Sequence, residues 1–168
     1  ELLAARGVPT RIAADESIRR AADPLLVRAL GAADVIDRAE LGAPGKPLQK
    51  ERWAAVVDSV GSHTLVNACA QVRYGGVVTA CGLAQGFDLP ATVMPFILRG
   101  VALLGIDSVL IGPELRRSVW ARLETDLRPA HLDRLITEIG VDDLDGSLAE
   151  IRAGRTTGRT VVPISAQS

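Results

Sequence analysis

The sequence is poor in the side chains that hold metals or carry covalent catalysis. Its 168 residues include two cysteines, Cys69 and Cys81, and two histidines, His63 and His131. Because they form neither a C-x-x-C nor an H-x-x-x-H pattern, the sequence predicts no metal site. No Ser/His/Asp or Cys/His set can be assembled at a site either. We expect the cysteines to be small buried residues and the histidines to lie near helix starts.

Charge and hydropathy exclude further classes of protein. The formal net charge is -1, which gives no reason to expect nucleic acid or an anionic membrane as a partner. No apolar run approaches the roughly 18 residues of a membrane-spanning helix, and no signal peptide is visible, so the prediction is a cytoplasmic protein. With 48% hydrophobic and 23% charged residues, the composition suits a domain with a buried core.

The segment 74–86 is the most informative part of the sequence, because glycines frame a β-branched run. Residues 77–81 show no alternation of apolar and polar side chains, which favours a strand covered on both faces, as in parallel sheets. Gly82 and Gly86 follow this strand, and they permit a positive φ and the close approach of a ligand to the backbone. We therefore place the candidate site at the carboxyl end of the strand.

Predicted strands and helices alternate along the first two thirds of the chain. One helix begins at Ser62, its predicted N-cap, between two apolar strands. Near-continuously apolar strands that alternate with helices indicate an α/β fold with a parallel, doubly wound sheet. The predicted strands are 10–14, 34–37, 54–60, 74–81 and 101–106, and the predicted helices are 24–30, 62–72 and 92–99.

From Pro113 onward the pattern becomes helical. Apolar residues at positions 115, 119, 120, 123 and 127 form one stripe, and Pro113 suits a first turn, so we predict a helix over 113–127. We expect Trp120 to be a core residue rather than a binding platform. A helix at 145–153 and a strand at 158–162 follow. The predicted domains are 1–112 and 113–168, the second being a C-terminal segment of helix and strand.

Three segments together resemble a known family. They are 54–61, 74–86 and 95–109, which carry CGLAQG, MPFILRG and GIDSV in a specific order and spacing. This pattern resembles the zinc-independent medium-chain dehydrogenases and reductases, and within them the acrylyl-CoA reductase (NADPH) group, often labelled quinone oxidoreductase-like. The resemblance spans residues 25–162. It implies a Rossmann-like dinucleotide-binding domain at 1–112.

The resemblance also implies that parts of such an enzyme are missing from this sequence. The related enzymes begin with a barrel-like catalytic domain, followed by a first Rossmann strand and a glycine-rich turn that seats the pyrophosphate. Neither is found here, and residues 1–7 resemble the last turns of the next helix, with Gly7 as its stop. We therefore expect a C-terminal fragment that is inactive and binds dinucleotides weakly alone. Segment 113–168 would return to the missing domain, which predicts apolar surface that is either exposed or covered by another copy.

The activity implied by the resemblance is reduction of the C=C bond of acrylyl-CoA, or of a similar α,β-unsaturated acceptor, with NADPH. In the resembling family the catalytic groups lie chiefly in the missing domain, so we name no catalytic residue in this sequence. Residues 82–84 should lie beside the nicotinamide ribose, and residues 96–98 should close over the nicotinamide side, with plain core packing as the alternative for the latter. The residues expected to bind the cofactor within 54–109 are Ser59, Gly82, Leu83, Ala84, Phe96, Ile97 and Leu98.

The cofactor preference depends on neighbouring residues that disagree. Asp15 and Glu16 end the strand that should meet the adenosine ribose, where a carboxylate favours NAD and repels a 2′-phosphate. Arg20 falls where the resembling reductases carry an arginine that binds this phosphate, although two extra residues precede it here; a solvated Arg19-Arg20 pair is the alternative. We favour NADPH over NADH, because one guanidinium can hold the phosphate by a bidentate pair.

Two other functions stay open. One is a quinone or enal reductase of the same superfamily, which would differ in the substrate pocket of the missing domain. The other is a non-catalytic Rossmann-like dimerisation or interaction module. We also expect a homodimer that pairs through the strand at 101–109, because this apolar strand lies at the sheet edge in the Rossmann order and the family resemblance implies dimers joined there.

Overall fold

The computed structural model describes the backbone of residues 11–14, and residues 31–128 and 132–164. Arg20, the Asp15-Glu16 pair, His131 and the predicted helices 1–7 and 24–30 lie outside the described residues. The chain divides into two compact units: the first comprises residues 1–9 and 37–121, and the second comprises residues 10–36 and 122–168.

The described elements confirm the predicted order of strands and helices, with differences of a few residues at their ends. Among the strands, only β6 is absent from the prediction. The strands are β1 (Arg11–Ala14), β2 (Asp34–Asp37), β3 (Trp53–Asp58), β4 (Val72–Ala80), β5 (Ala102–Gly105), β6 (Ile136–Glu138) and β7 (Arg159–Val161). The α-helices are α1 (Ser62–Gln71), α2 (Met94–Arg99), α3 (Pro113–Glu124) and α4 (Leu144–Arg152), and 3-10 helices cover Arg38–Glu40, Leu132–Leu135 and Val141–Asp143.

The first unit contains a parallel sheet in the order β3-β4-β5. Val56 pairs with Val78, and Val78 pairs with Leu103, so these three side chains form one row across the sheet. The chain passes from β3 through α1 into β4, and this βαβ connection brings the carboxyl ends of β3 and β4 to the same edge.

One face of this sheet carries the core. Leu65 and Cys69 of α1 pack against Val72 and Val78 of β4 and against Val101. The partly buried side chains that pack around this cluster are Trp53, Val56, Ala80, Phe96 and Leu103. The core therefore fixes α1 and α2 against β4, whose carboxyl end leads into the candidate site.

The other face is only partly covered by the described residues. Val57, Thr79 and Leu104 form the next row across the sheet, and Val57 and Leu104 are 81% and 50% exposed. The expected cover on both faces of β4 is therefore not seen among these residues. The reason is that α1 and α2 pack into one common cluster, on the side of Val78.

The second unit contains two small sheets. β1 pairs with β2, and β6 pairs in parallel with β7 through Ile136 and Arg159. Gly158, with φ of 77°, brings the chain so close to Leu135 that a Cβ at 158 would overlap the Leu135 carbonyl oxygen. β6 has three residues, too few for the alternation that identifies a strand in a sequence.

Apolar side chains are exposed throughout the C-terminal part. None of the described residues after Val101 is buried. Trp120 of α3 is 64% exposed and Leu148 of α4 is 52% exposed. The prediction that Trp120 is a core residue is therefore wrong, because no described residue buries the apolar stripe of α3. The exposed apolar surface that the family resemblance implies is confirmed.

Candidate functional site

The segments that follow β3 and β4 are hydrogen bonded to each other. Cys81 N donates to Asp58 O at 2.8 Å, and Gln85 N donates to Val60 O at 2.8 Å. We call these two segments, residues 58–62 and 81–88, the paired loops. They form one continuous edge at the carboxyl ends of two parallel strands, which is where open α/β sheets bind ligands.

Asp58 fixes the shape of the first of the paired loops. The residue is buried, and its carboxylate accepts hydrogen bonds from Gly61 N at 2.9 Å and Val60 N at 3.2 Å. Gly61 has φ of 76° and Ser62 has φ of 48°, which is uncommon for a residue with a side chain. Such a conformation persists where the surrounding contacts determine it, so the Asp58 carboxylate is part of what holds this turn.

The start of α1 differs from the prediction. Ser62 is the first residue of the helix rather than its N-cap, and its hydroxyl donates to Asp88 Oδ2 at 3.1 Å. The N-cap is Gly61, which makes no side-chain capping bond. A capping acceptor comes instead from the second loop, because Gln85 Oε1 accepts from Thr64 N at 3.2 Å.

The two glycines of the second paired loop serve close approach rather than a left-handed conformation. Gly82 and Gly86 do not have positive φ, so that part of the prediction is wrong. A Cβ at Gly82 would overlap the Ser59 carbonyl oxygen, and a Cβ at Gly61 would lie 2.5 Å from Gly86 O. The two loops therefore meet backbone to backbone.

Four of the residues expected to bind the cofactor lie together in the paired loops. Ser59 and Ala84 are exposed and face each other, with Ala84 N at 3.5 Å from Ser59 O. Gly82 is half-buried, and Leu83 is 65% exposed. The structure thus brings these residues to one edge and leaves main-chain groups and one apolar side chain accessible there.

The three expected residues on α2 have different surroundings. Phe96 is partly buried and packs against the core cluster, whereas Ile97 and Leu98 are 72% and 55% exposed. The helix ends at Gly100, which has φ of 58°, as helix C-caps commonly do. Core packing therefore describes Phe96, while Ile97 and Leu98 are available for contact.

Arg99, the last residue of α2, anchors this helix to the C-terminal end of α1. Its guanidinium donates to Ala70 O at 2.8 Å and to Gln49 O at 2.6 Å, with a longer bond to Val72 O at 3.4 Å. Arg99 Nε lies 3.4 Å from Glu51 Oε1. The arginine thus satisfies carbonyl groups at a helix end that lack intrahelical partners.

Side-chain amides hold the same end of α1. Gln71 Nε2 donates to Gln49 Oε1 at 2.8 Å, and Gln49 Nε2 donates to Asn67 Oδ1 at 2.6 Å. Asn67 Nδ2 in turn donates to Leu41 O and Ala43 O, each at 2.7 Å. Among the described residues, no buried side-chain nitrogen or oxygen lacks a hydrogen-bond partner.

The two cysteines lie in contrasting environments. Cys69 is buried beside a cavity of about 40 Å³ that Val66, Pro95 and Phe96 also line. Burial, and secondarily the Asp58 carboxylate, raises the pKa of the Cys69 thiol to about 11. Cys81 is exposed, against the prediction, because it lies past the end of β4; its Sγ donates to Asp58 O at 3.2 Å.

Metal and membrane features are not found among the described residues. Over 31–128 and 132–164, no three Asp, Glu, His or Cys side chains are grouped so that they could hold a metal ion. Within the same part of the chain, no helix combines the length and apolarity needed to cross a membrane.

Two residues that hold these segments by hydrogen bonds were not anticipated from the sequence, Gln85 and Arg99. Each acts on partners that are distant along the chain, so no local spacing indicates them. One signal was present for Gln85: a helix preceded by Gly61 has no side chain of its own for the cap, and so requires an acceptor from elsewhere.

Comparison with known proteins identifies relatives for nearly the whole chain. No protein-family model matches the sequence. The chain is 44% identical over 138 residues to the acrylyl-CoA reductase AcuI of Ruegeria pomeroyi. The matched region is 82% of this chain and 42% of AcuI. It is 40% identical over 155 residues to YhfP of Bacillus subtilis, named as a quinone oxidoreductase, which covers 91% of this chain and 46% of YhfP.

Solved structures agree with the sequence comparison. The crystal structure of Escherichia coli K-12 YhdH with bound NADPH matches with a TM-score of 0.79 and 39% identity, covering 98% of this chain and 49% of YhdH. The structure of B. subtilis YhfP, which has NAD bound, matches with a TM-score of 0.78 and 36% identity, covering 94% of this chain and 46% of YhfP.

The chain thus spans about half the length of the relatives that it matches. The shared fold is of the Rossmann type, in agreement with the parallel sheet described above. By sequence and by fold, this chain is a homologue of acrylyl-CoA reductase AcuI and of quinone oxidoreductase YhfP and belongs to the medium-chain dehydrogenase/reductase family.

Proposed function

We propose that this chain is the cofactor-binding part of an NADPH-dependent oxidoreductase that reduces the C=C bond of acrylyl-CoA or a similar α,β-unsaturated acceptor. The observation that carries the proposal is the glycine-lined edge of the paired loops, in a chain that matches NADPH-bound YhdH over 98% of its length. A dinucleotide needs such an edge, because its phosphates and riboses bind to main-chain groups at close range.

The proposed roles follow from exposure. Main-chain groups of Ser59 and of residues 82–84 would bind the nicotinamide ribose, since a side chain at 82 has no space and those at 59 and 84 are small. Leu83, Ile97 and Leu98 are exposed apolar side chains that would shield the nicotinamide from water. Phe96 would support α2 from the core side. The bound cofactor supplies the hydride itself.

Arg20 is the proposed ligand of the 2′-phosphate. Arg20→Ala should lower kcat/KM for NADPH by roughly 10- to 100-fold, from the loss of about 1.5 to 3 kcal/mol, with little change for NADH. The measurement compares both cofactors in the protein expressed from its complete gene. Equal losses, or a wild-type preference for NADH, would mean that Asp15 governs the preference.

Turnover assays can decide which substrate the proposed enzyme reduces. The AcuI name favours an enoyl-CoA, while the YhfP name favours a quinone as the second candidate. The test is NADPH oxidation by the protein from its complete gene with acrylyl-CoA and with a quinone as separate substrates. We expect acrylyl-CoA to give the larger kcat/KM. A larger value for the quinone would reverse the assignment, and turnover of neither would favour a non-catalytic interaction module.

We further propose a homodimer formed through the segment 101–109, in which the strand itself, β5, is Ala102–Gly105 and is shorter than predicted. In the described sheet β5 is an outer strand, and Leu104, Ile106 and Val109 are 50%, 50% and 81% exposed. An apolar outer strand can pair with a second copy. Leu104→Pro would remove a strand amide and should shift the protein to monomer in sedimentation velocity. An unchanged association state would show that the dimer, if formed, uses another surface.

Two points remain predictions. One is the division of the chain into residues 1–112 and residues 113–168, and the other is the cytoplasmic location. In the proposed enzyme the second segment would pack on a catalytic domain through exposed side chains such as Leu115, Trp120 and Leu148.

A further inference from the structure

We infer that Gln85 is a positioning residue, which holds the second of the paired loops in the conformation that binds the dinucleotide. The inference rests on the proposed cofactor site. Gln85 follows Ala84 directly, and its side chain joins the loop to two other segments of the first unit.

The carboxamide of Gln85 uses both of its ends. Its Oε1 accepts from Thr64 Oγ1 at 2.8 Å and from Thr64 N at 3.2 Å. Its Nε2 donates to Gly42 O at 2.8 Å. An asparagine is one carbon shorter, and a methionine has the same length but no strong hydrogen-bonding group. Glutamine therefore fits both partners at once.

The bond to Thr64 does the work of an N-cap. Helix α1 begins after Gly61, which has no side chain to accept from the first free N–H groups. Thr64 is buried, so its N–H and hydroxyl need partners within the protein. Gln85 supplies one acceptor for both groups from 21 residues away. The start of α1 and the candidate cofactor loop are therefore coupled: the helix is capped only when the loop is in place.

The loop needs this side-chain contact because its own sequence is permissive. Gly82 and Gly86 lie on either side of residues 83–85, and glycine loses more conformational freedom on ordering than any other residue. A cofactor binds only the fraction of molecules in which the loop has the binding conformation, and the apparent Kd rises as that fraction falls. The bonds of Gln85 to Thr64 and Gly42 raise that fraction before the cofactor arrives.

The test uses the protein expressed from its complete gene and three variants. Gln85→Met removes the bonds and keeps the size. Thr64→Val removes the hydroxyl partner from a residue outside the loop. Gln71→Met is the matched control, because the side-chain amide of Gln71 makes hydrogen bonds at the opposite end of the same helix. We measure the Kd for NADPH by titration, the hydrogen exchange of the Thr64 amide and the midpoint of thermal unfolding.

We expect Gln85→Met to raise the Kd for NADPH by about 5- to 20-fold, the size of one or two lost hydrogen bonds. Thr64→Val should raise the Kd by a smaller factor. In the double variant, Gln85→Met with Thr64→Val, the Kd should rise by less than the product of the two single factors, because both substitutions remove one interaction. The Thr64 amide should exchange faster in Gln85→Met without cofactor. Gln71→Met should lower the unfolding midpoint at least as much and leave the Kd unchanged.

Two results would overturn the inference. One is a Kd for Gln85→Met that changes only as much as in Gln71→Met, which would make Gln85 a general stability residue. The other is multiplicative losses in the double variant. Failure of the wild-type protein to bind NADPH would contradict the proposed function instead, and Thr64 amide exchange would still show whether Gln85 holds the loop.

Discussion

The two ends of α1 are held by different chemistry. At the C-terminal end, the side chains of Gln49, Gln71 and Arg99 make the contacts, and they fill the space between α1 and its neighbours. At the N-terminal end, the backbones of Gly61 and Gly82 meet the opposite loop directly. The Asp58 carboxylate that holds this turn is buried, and the side chains left accessible at Ser59 and Ala84 are small. The hydrogen-bonded side chains at the C-terminal end leave no room for a ligand, whereas the glycine-lined edge at the N-terminal end leaves main-chain groups accessible to one. The proposed function therefore assigns stability of the fold to the C-terminal end of α1 and cofactor binding to its N-terminal end.

The largest expected effect is on stability at the C-terminal end. Arg99→Met removes charge-assisted bonds to Ala70 O and Gln49 O in a side chain that is 17% exposed. It should lower the free energy of unfolding by about 3 to 5 kcal/mol in urea titration. Arg116→Met is the control, because Arg116 donates to one carbonyl, Ser108 O, at an exposed position and should cost about 1 kcal/mol. Similar costs for both variants would contradict the special role of Arg99.

The next effect is on binding at the N-terminal end. Gly82→Ala places a methyl group against the Ser59 carbonyl oxygen and must move one of the paired loops. We expect at least about a 10-fold rise in the Kd for NADPH, corresponding to about 1.4 kcal/mol. Gly105→Ala is the matched control, because no atom lies within 4 Å of a Cβ at that position. A Kd of Gly82→Ala within twofold of the wild-type value would show that close backbone approach at Gly82 is not needed for NADPH binding.

The smallest effect concerns the last turn of α1, where Cys69 packs in the core. Burial raises the thiol pKa from 9.0 to about 11, so the folded state favours the neutral thiol. The resulting stability is fully present below pH 9 and is lost as the pH rises towards 11. Cys69→Ala should show a shallower decline of the unfolding free energy over this range than the wild type. An unchanged slope in Cys69→Ala would contradict the assignment of this pH dependence to the buried thiol.

Much of the fold could be predicted from the sequence because it depends on local patterns. Apolar runs bounded by glycine predict β3, β4 and β5, and the glycines around 82 place the candidate site at the edge where the paired loops meet. The predicted strand 34–37 has the bounds of β2. These features follow from residues that are adjacent in the chain, which is where periodicity carries information.

The rest depends on contacts that periodicity does not contain. Gln85 reaches Thr64 across 21 residues, and Arg99 reaches Gln49 O across 50. The apolar stripe of α3 shows which side chains are apolar but not what covers them, so the sequence alone misplaced Trp120 in a core. Serine is a common N-cap residue, which is why the sequence predicts Ser62 as the cap. In the structure Ser62 has a positive φ and is already the first helical residue, so the N-cap is Gly61.

The central claim, that cofactor binds at the N-terminal end of α1 and not at its C-terminal end, can be tested by hydrogen–deuterium exchange of the protein from its complete gene with and without saturating NADPH. We predict slower exchange in peptides that cover the paired loops, residues 58–62 and 81–88, and unchanged exchange in those that cover residues 48–52 and 70–73. Protection centred on the latter segments, with the paired loops unaffected, would contradict the account.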